Sequence, residues 1–173
     1  PNIILEKGIG SIVFGQHLGI HKLLPEIVRI LFRGGCPAWI VSNIDFERWL
    51  KLGMNAVINP LTAIARSPNK IILSRWGKRL AWIILKELVE AANLEGYNLV
   101  LDRLYKHVMR VAMVTKENYS SMAQDIIAGR KTEIDYINGY VVRILKEHGR
   151  ESIINKLIVD MIHLIEESFK DID

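Results

Sequence analysis

Residues 78–95 read KRLAWIILKELVEAANLE, and Gly96 follows them. The apolar run Leu80–Leu85 is cut by Lys86, Glu87 and Glu90. Apolar and charged side chains at a helical rather than a two-residue period predict an amphipathic helix with one buried face. Glycine is the residue type that most readily closes such a helix, so the stretch should end at Gly96.

The same period continues on both sides. Downstream, residues 97–114 carry Leu99, Leu101, Leu104, Val108 and Val111, and Ser120–Ile127 reads as a short helix stopped near Gly129. Thr132 is placed to cap a further helix through Lys146, closed by His148 and Gly149, and a last helix spans 152–169. Upstream, residues 21–32 put Leu23, Leu24, Ile27, Ile30 and Leu31 on one stripe, ended by Gly34 and Gly35. Asp45 is a plausible N-cap for a helix carrying Trp49, Leu52 and Met54, and Pro60 either interrupts it or starts another. A polar loop is expected at 67–69. The expected architecture is mainly α, an orthogonal bundle of about six or seven helices.

Only the first residues read differently. Residues 2–5 (NIIL) and 11–14 (SIVF) are short apolar runs with Gly8 and Gly10 between them and Gly15 after. They predict a short N-terminal β-hairpin. A lone hairpin is not stable in water, and no later segment reads as a strand it could join, so a neighbouring sheet is expected. The expected division is 1–19 as remnant strands and 20–173 as the helical domain.

Composition narrows the function classes. The 173 residues suffice for one compact domain with a core. The formal charge is +4 and the pI about 9.2, but the cations are scattered and only Arg75, Lys78 and Arg79 approach a cluster. A nucleic-acid partner is therefore not expected, whereas a small anionic substrate suits the surplus. Cys36 is the single cysteine, so an intrachain disulfide and a cysteine-based zinc site are excluded. No apolar run is long enough for a membrane span, residues 1–10 lack the features of a signal peptide, and a cytoplasmic setting is expected. His17 and His21 are four apart, but Gly19 lies between them with no third ligand nearby, so no metal is expected. Gly8, Gly10, Gly15 and Gly19 do not fit the spacing of a dinucleotide-binding GxGxxG turn. Trp39, Trp49, Trp76 and Trp82 read as core or interface anchors.

Two segments carry more polar residues than a plain bundle needs. In WLKLGMNAVINPLTA, residues 49–63, Lys51, Asn55 and Asn59 are spaced i, i+4, i+8 and form one polar stripe with Leu52, Val57 and Ile58 around it. One cation and two amides lining a wet cleft would suit a small, oxygen-rich anion. An exposed helix face with an Asn-Pro end accounts for the same spacing, and spacing alone favours it. In YSSMAQDIIAGRKTEIDYINGY, residues 119–140, Ser121 and Gln124 fit a capping box, and Glu133 sits in the first turn after Thr132, where the helix dipole favours a carboxylate. Asp135, Asn138 and Arg143 read as surface or inter-helix groups, and Gly139 in mid-helix suggests close packing against another element.

KLGMNAVINPLTA, residues 51–63, and SSMAQDIIAGRKTEIDYINGYVVRILKEHG, residues 120–149, resemble the hallmark stretches of the ketopantoate reductase (2-dehydropantoate 2-reductase) family, in the right order. The resemblance covers residues 20–169 and implies the family's C-terminal helical fold, like that of the 6-phosphogluconate dehydrogenase C-terminal domain. Residues 1–15 resemble the last two strands of its N-terminal Rossmann domain, whose GxGxxG unit has no counterpart here. A proline common in the family after the HG turn, near Ile153, is missing.

By this resemblance Lys51 matches the catalytic lysine, the proton donor to the ketone oxygen, and Glu133 the active-site glutamate. Asn55, Asn59 and Ser121 match substrate-contacting positions. All five residues are intact, which favours retained function over decay. The implied activity is NADPH-dependent reduction of 2-dehydropantoate to pantoate, toward pantothenate and coenzyme A. This chain would be the substrate half, inactive alone, with the cofactor side supplied by a separate Rossmann subunit or a longer parent chain. A homo-oligomer is also expected. Two alternatives stay open: a non-catalytic dimerising or binding module derived from the family, and a reductase half acting on another 2-keto acid.

Overall fold

The computed structural model describes residues 10–15 and 22–169. The expected strand at 2–5, and His17, Gly19 and His21, lie outside these residues. By compactness the chain divides into two units between Arg48 and Trp49.

The hairpin read at 2–5 and 11–14 has its first strand outside the described residues; among those described, the first unit holds a two-stranded parallel sheet. Strand β1 (Ile12–Gly15) pairs in parallel with β2 (Ala38–Val41), in the register Ile12↔Ala38 to Gly15↔Val41. Parallel strands need a crossover, and helix α1 (Leu24–Arg33) supplies it. A later segment therefore does offer a strand. AWIV escapes a sequence reading because four residues with no clear alternation carry almost no periodic signal. Gly15 is required at the end of β1 by space: a Cβ there would lie 2.0 Å from Ile44 Cβ. Helix α1 ends at Gly34 and Gly35 as expected, yet despite its apolar stripe none of its residues is buried.

The remaining helices are α2 (Ile44–Ala65), α3 (Arg75–Leu94), α4 (Leu101–Val114), α5 (Ser121–Ile127), α6 (Ile134–Glu147) and α7 (Ile153–Glu167), with a 3-10 turn at Asn69–Leu73. Gly96, Gly129 and Gly149 follow α3, α5 and α6 with positive φ, the stops expected from their positions. The core of the second unit gathers Ile84, Leu85 and Leu88 of α3, Val108 of α4, Ile134 of α6 and Ile162 of α7, all fully buried. Trp49 is buried between the rings of Tyr97 and Tyr140, at 5.9 and 5.8 Å. Trp39, Trp76 and Trp82 stand on the surface instead. The mid-helix Gly139 packs closely against no other element: a Cβ there would make only ordinary contacts with its own helix.

Pro60 neither interrupts nor starts a helix; α2 runs through it. Proline removes the N–H that would bond the carbonyl four residues back, here that of Ala56. Asn138 of α6 replaces it, donating from Nδ2 to the Ala56 carbonyl at 3.0 Å. The same amide donates to Asn155 Oδ1 at 2.9 Å, and Asn155 Nδ2 donates to Glu87 Oε2 at 2.7 Å. Glu87 also accepts from Ser152 Oγ (2.8 Å), Ile154 N (2.8 Å) and Asn155 N (2.9 Å) at the start of α7. Burial by itself would raise the Glu87 pKa. The backbone N–H groups of Asn155 and Ile154, with the Asn155 and Ser152 side chains, outweigh it and hold the carboxyl below its ordinary value. A buried polar chain thus links α2, α6, α7 and α3.

Candidate active site

Helix α2 carries Lys51, Asn55 and Asn59 at one-turn intervals, and the stripe runs inward: Lys51 is exposed, Asn55 half-buried and Asn59 buried. The helix starts two residues earlier than expected. Asn43 Oδ1 accepts from Phe46 N at 2.9 Å and forms the cap, while Asp45 sits in the first turn with Arg48 as an ion-pair partner.

Ser121 opens α5 and is exposed. The capping residue is its neighbour Ser120, whose Oγ accepts from Ala123 N at 3.1 Å, so the capping box read at Ser121 is shifted by one. The Gln124 side chain bonds the Tyr119 carbonyl at 3.0 Å. Ser120 Oγ lies 2.7 Å from Thr62 Oγ1 of α2. The single Thr62 hydroxyl proton is directed at the Ile58 and Asn59 carbonyls, 2.7 and 3.1 Å away, so Ser120 donates to Thr62. The start of α5 is thereby fixed one turn beyond Asn59.

Glu133 occupies the N-cap position of α6 with its side chain exposed. Its neighbours hold it in place. The buried Thr132 donates its N–H to Glu166 Oε1 of α7 at 2.7 Å, and Thr132 Oγ1 accepts from Ile134 N at 3.3 Å. The dipole of α6 favours a carboxylate at this end.

The three segments are joined through neighbouring residues, at Thr62–Ser120 and Ala56–Asn138. Among the described residues, no hydrogen bond or ion pair engages the side chains of Lys51, Asn55, Asn59, Ser121 or Glu133, and none joins one of the five to another. Asn59 is the deepest of the five, yet its amide atoms are not sealed from solvent; among the described residues, the buried side-chain atoms without a partner are Asn69 Oδ1 and Asn138 Oδ1. Thr62 and Ser120 went unrecognised as residues that position these segments, while Asn138, read as a surface or inter-helix group, is the inter-helix one. The signal available for Asn138 was Pro60, which leaves a buried carbonyl in search of a donor. Of the other polar residues singled out from the sequence, Asp135 pairs with His163 at 3.1 Å and Arg143 lies over the Tyr140 ring and near Glu147, both at the surface.

A cleft of about 450 Å³ includes none of the five; Lys131, Asp135, His163 and Glu166 line part of it. Among the described residues no cluster of His, Cys, Asp and Glu could hold a metal ion, and no helix is long and apolar enough to cross a membrane. Nor does any glycine-rich turn open a helix: α1 begins after Leu23 with a proline in its first turn. The described residues do not fit a dinucleotide's phosphates.

Comparison with known proteins agrees with this architecture. The family model described as ketopantoate reductase PanE/ApbA C terminal matches residues 43–166. The 2-dehydropantoate 2-reductase of Pyrobaculum aerophilum is 35% identical over 90% of this chain and 54% of its own length. That of Shigella flexneri is 40% identical over 99% of this chain and 56% of its own. Among solved structures, a PanE/ApbA family ketopantoate reductase from Ralstonia eutropha superposes with a TM-score of 0.83 at 26% identity, over 94% of this chain and 53% of that one. A complex of D-mandelate dehydrogenase with NADH gives 0.84 at 25%, over 94% and 56%. The chain spans about half the length of the curated relatives it matches. The chain belongs to the ketopantoate reductase family, and its helices are those of that family's C-terminal domain.

Proposed function

We propose that this chain is the substrate-binding and proton-donating half of a cytoplasmic, NADPH-dependent 2-dehydropantoate 2-reductase, and that it homo-oligomerises. The observation that carries the reading is the set of five unengaged polar side chains, Lys51, Asn55, Asn59, Ser121 and Glu133, on segments hydrogen-bonded through their neighbours. Asn59 is buried as a residue, yet its amide atoms are not sealed from solvent and no group among the described residues engages them, so they are open to a ligand. A ligand bearing carboxylate, keto and hydroxyl oxygens can bond them.

Lys51 donates the proton to the ketone oxygen as the carbonyl carbon is reduced, and the exposed end of the stripe keeps its ammonium open to resupply from water. Asn55 and Asn59 donate amide hydrogens to substrate oxygens from successively deeper turns of α2, and the Ser121 hydroxyl adds a contact from α5. Glu133 accepts from the substrate hydroxyl and orients it. The nicotinamide coenzyme supplies a hydride when bound. Its site belongs to a Rossmann-type domain, on this polypeptide or a separate subunit, because residues 22–169 provide no phosphate cradle. The parallel β1–α1–β2 unit, with α1 unburied, is the surface that such a domain would extend.

A fusion to the N-terminal half of the Pyrobaculum aerophilum relative, followed by NADPH oxidation with 2-dehydropantoate, tests the reading. Activity is expected, and Lys51→Ala should lower kcat by about 10²–10⁴ without loss of helical signal. Activity that survives this change would end the assignment. A second reading, a reductase half for another 2-keto acid, draws on the D-mandelate dehydrogenase complexes with NADH. The same fusion decides between them by the ratio of kcat/KM for the two acids.

A further inference from the structure

Helix α7 is apolar on two nearly opposite faces. Ile158, Val159 and Ile162 are buried in the domain. On the far side Ile153, Leu157, Met161 and Leu164 are 68%, 54%, 37% and 68% exposed. At about 100° per residue these four fall within an arc of roughly 80°, whose centre lies roughly 150° from that of the buried three. Isolated exposed apolar residues are ordinary, but four aligned over three turns are a contact surface awaiting a partner. A helix apolar on both faces belongs in an interior.

The flanking charges identify the occupant. Lys156 and Asp160 lie together on one flank of the stripe and pair with each other at the surface. Their midpoint is residue 158, and the stripe from 153 to 164 is centred at nearly the same level. When two copies of a helix pack antiparallel about a two-fold axis, equal levels meet and the same flank of each comes together. Lys156 then faces Asp160 of the partner subunit, twice over. In a parallel pair opposite flanks meet, so this flank would lie against that of Ile154 and Ile165 and its charges would find no partner across the axis.

We propose that α7 is a homodimer interface that packs antiparallel against α7 of a second copy. The stripe supplies the apolar contact, and the Lys156–Asp160 flank sets direction and register. This inference does not depend on the reductase reading.

Sedimentation equilibrium of the full chain tests it. The wild type is expected to reach twice the monomer mass of 19.8 kDa. Leu157→Glu, and separately Leu164→Glu, should weaken association at least tenfold while leaving the circular dichroism unchanged, since both side chains are exposed. Lys156→Glu and Asp160→Lys should each weaken self-association. Mixed in equal amounts they should form a heterodimer, because only the mixed pair sets opposite charges across the axis. A wild type that stays at 19.8 kDa would overturn the proposal. So would a dimer undiminished by both leucine substitutions, which would place the contact elsewhere, for instance at the β1–β2 edge. Single-reversal variants that mix without preferring each other would overturn the antiparallel register.

Discussion

Two groups of polar residues sit in this helical domain, and they are built on opposite principles. The chain from Ala56 through Asn138 and Asn155 to Glu87 is turned inward, with nearly every donor and acceptor matched. The group Lys51, Asn55, Asn59, Ser121 and Glu133 has no side-chain partner among the described residues. Polar atoms that the fold satisfies hold the fold together. Polar side chains that it leaves unbonded but within reach of solvent are open to a ligand. Asn59 and Asn138, both buried asparagines, differ in this: Asn138 Nδ2 is bonded to α2 and α7 while its Oδ1 is buried without a partner, and Asn59 makes no side-chain bond among the described residues but has no side-chain atom sealed from solvent.

The strongest way to break the comparison is to remove Asn138. Asn138→Leu strips the donor from both the Ala56 carbonyl and Asn155 Oδ1, and urea unfolding should show a loss of about 2–5 kcal/mol. Pro60→Ala restores a backbone donor to Ala56. In that background the same substitution should be milder by about 1–2 kcal/mol. If the two changes were merely additive, Asn138 would not be the replacement for the proline's missing N–H.

Asn59→Leu should leave stability nearly unchanged. It breaks no side-chain hydrogen bond among the described residues and its amide is not sealed from solvent, so the change should stay within about 1 kcal/mol. Binding of pantoate, followed by calorimetry, should weaken about tenfold with the loss of a hydrogen bond of that order. A destabilised Asn59→Leu that binds pantoate normally would mean that Asn59 belongs with the structural group.

The smallest effect is one of pH. The Glu87 pKa is lowered in the folded chain from an ordinary value of 4.5. The unfolded chain therefore binds its proton first, and the Glu87 contribution is fully present above about pH 4.5 and fades as pH falls through the lower folded value. Urea midpoints compared for wild type and Glu87→Gln should differ by a constant amount at neutral pH and converge below 4.5. A gap that is flat through the acid range would show that the bonds from α7 do not favour the charged form.

Much of this was legible from residues alone, and what was not has a common cause. The helix ends at Gly34, Gly96, Gly129 and Gly149 depend on local backbone preference, and they stand where read. The caps slipped by one or two residues, from Asn43 to Asp45 and from Ser120 to Ser121. Adjacent polar residues offer equivalent acceptors, and only the backbone geometry selects between them. Strand β2 was invisible because its pairing with β1 joins residues 26 apart in sequence, Ile12 with Ala38.

Period and glycine placement settle the mainly helical class, because helices are made of contacts three and four residues apart. The motifs 51–63 and 120–149 carry the family resemblance for the same reason, as continuous runs of residues. Which polar side chains are satisfied and which are open was decided only in three dimensions. Asn138 meets Ala56 across 82 residues and Asn155 meets Glu87 across 68, and no local rule of sequence reaches that far. The two apolar faces of α7 could have been drawn on a helical wheel, but not which of them the domain would bury. That depends on the neighbours packed against it, and they left Ile153, Leu157, Met161 and Leu164 in water.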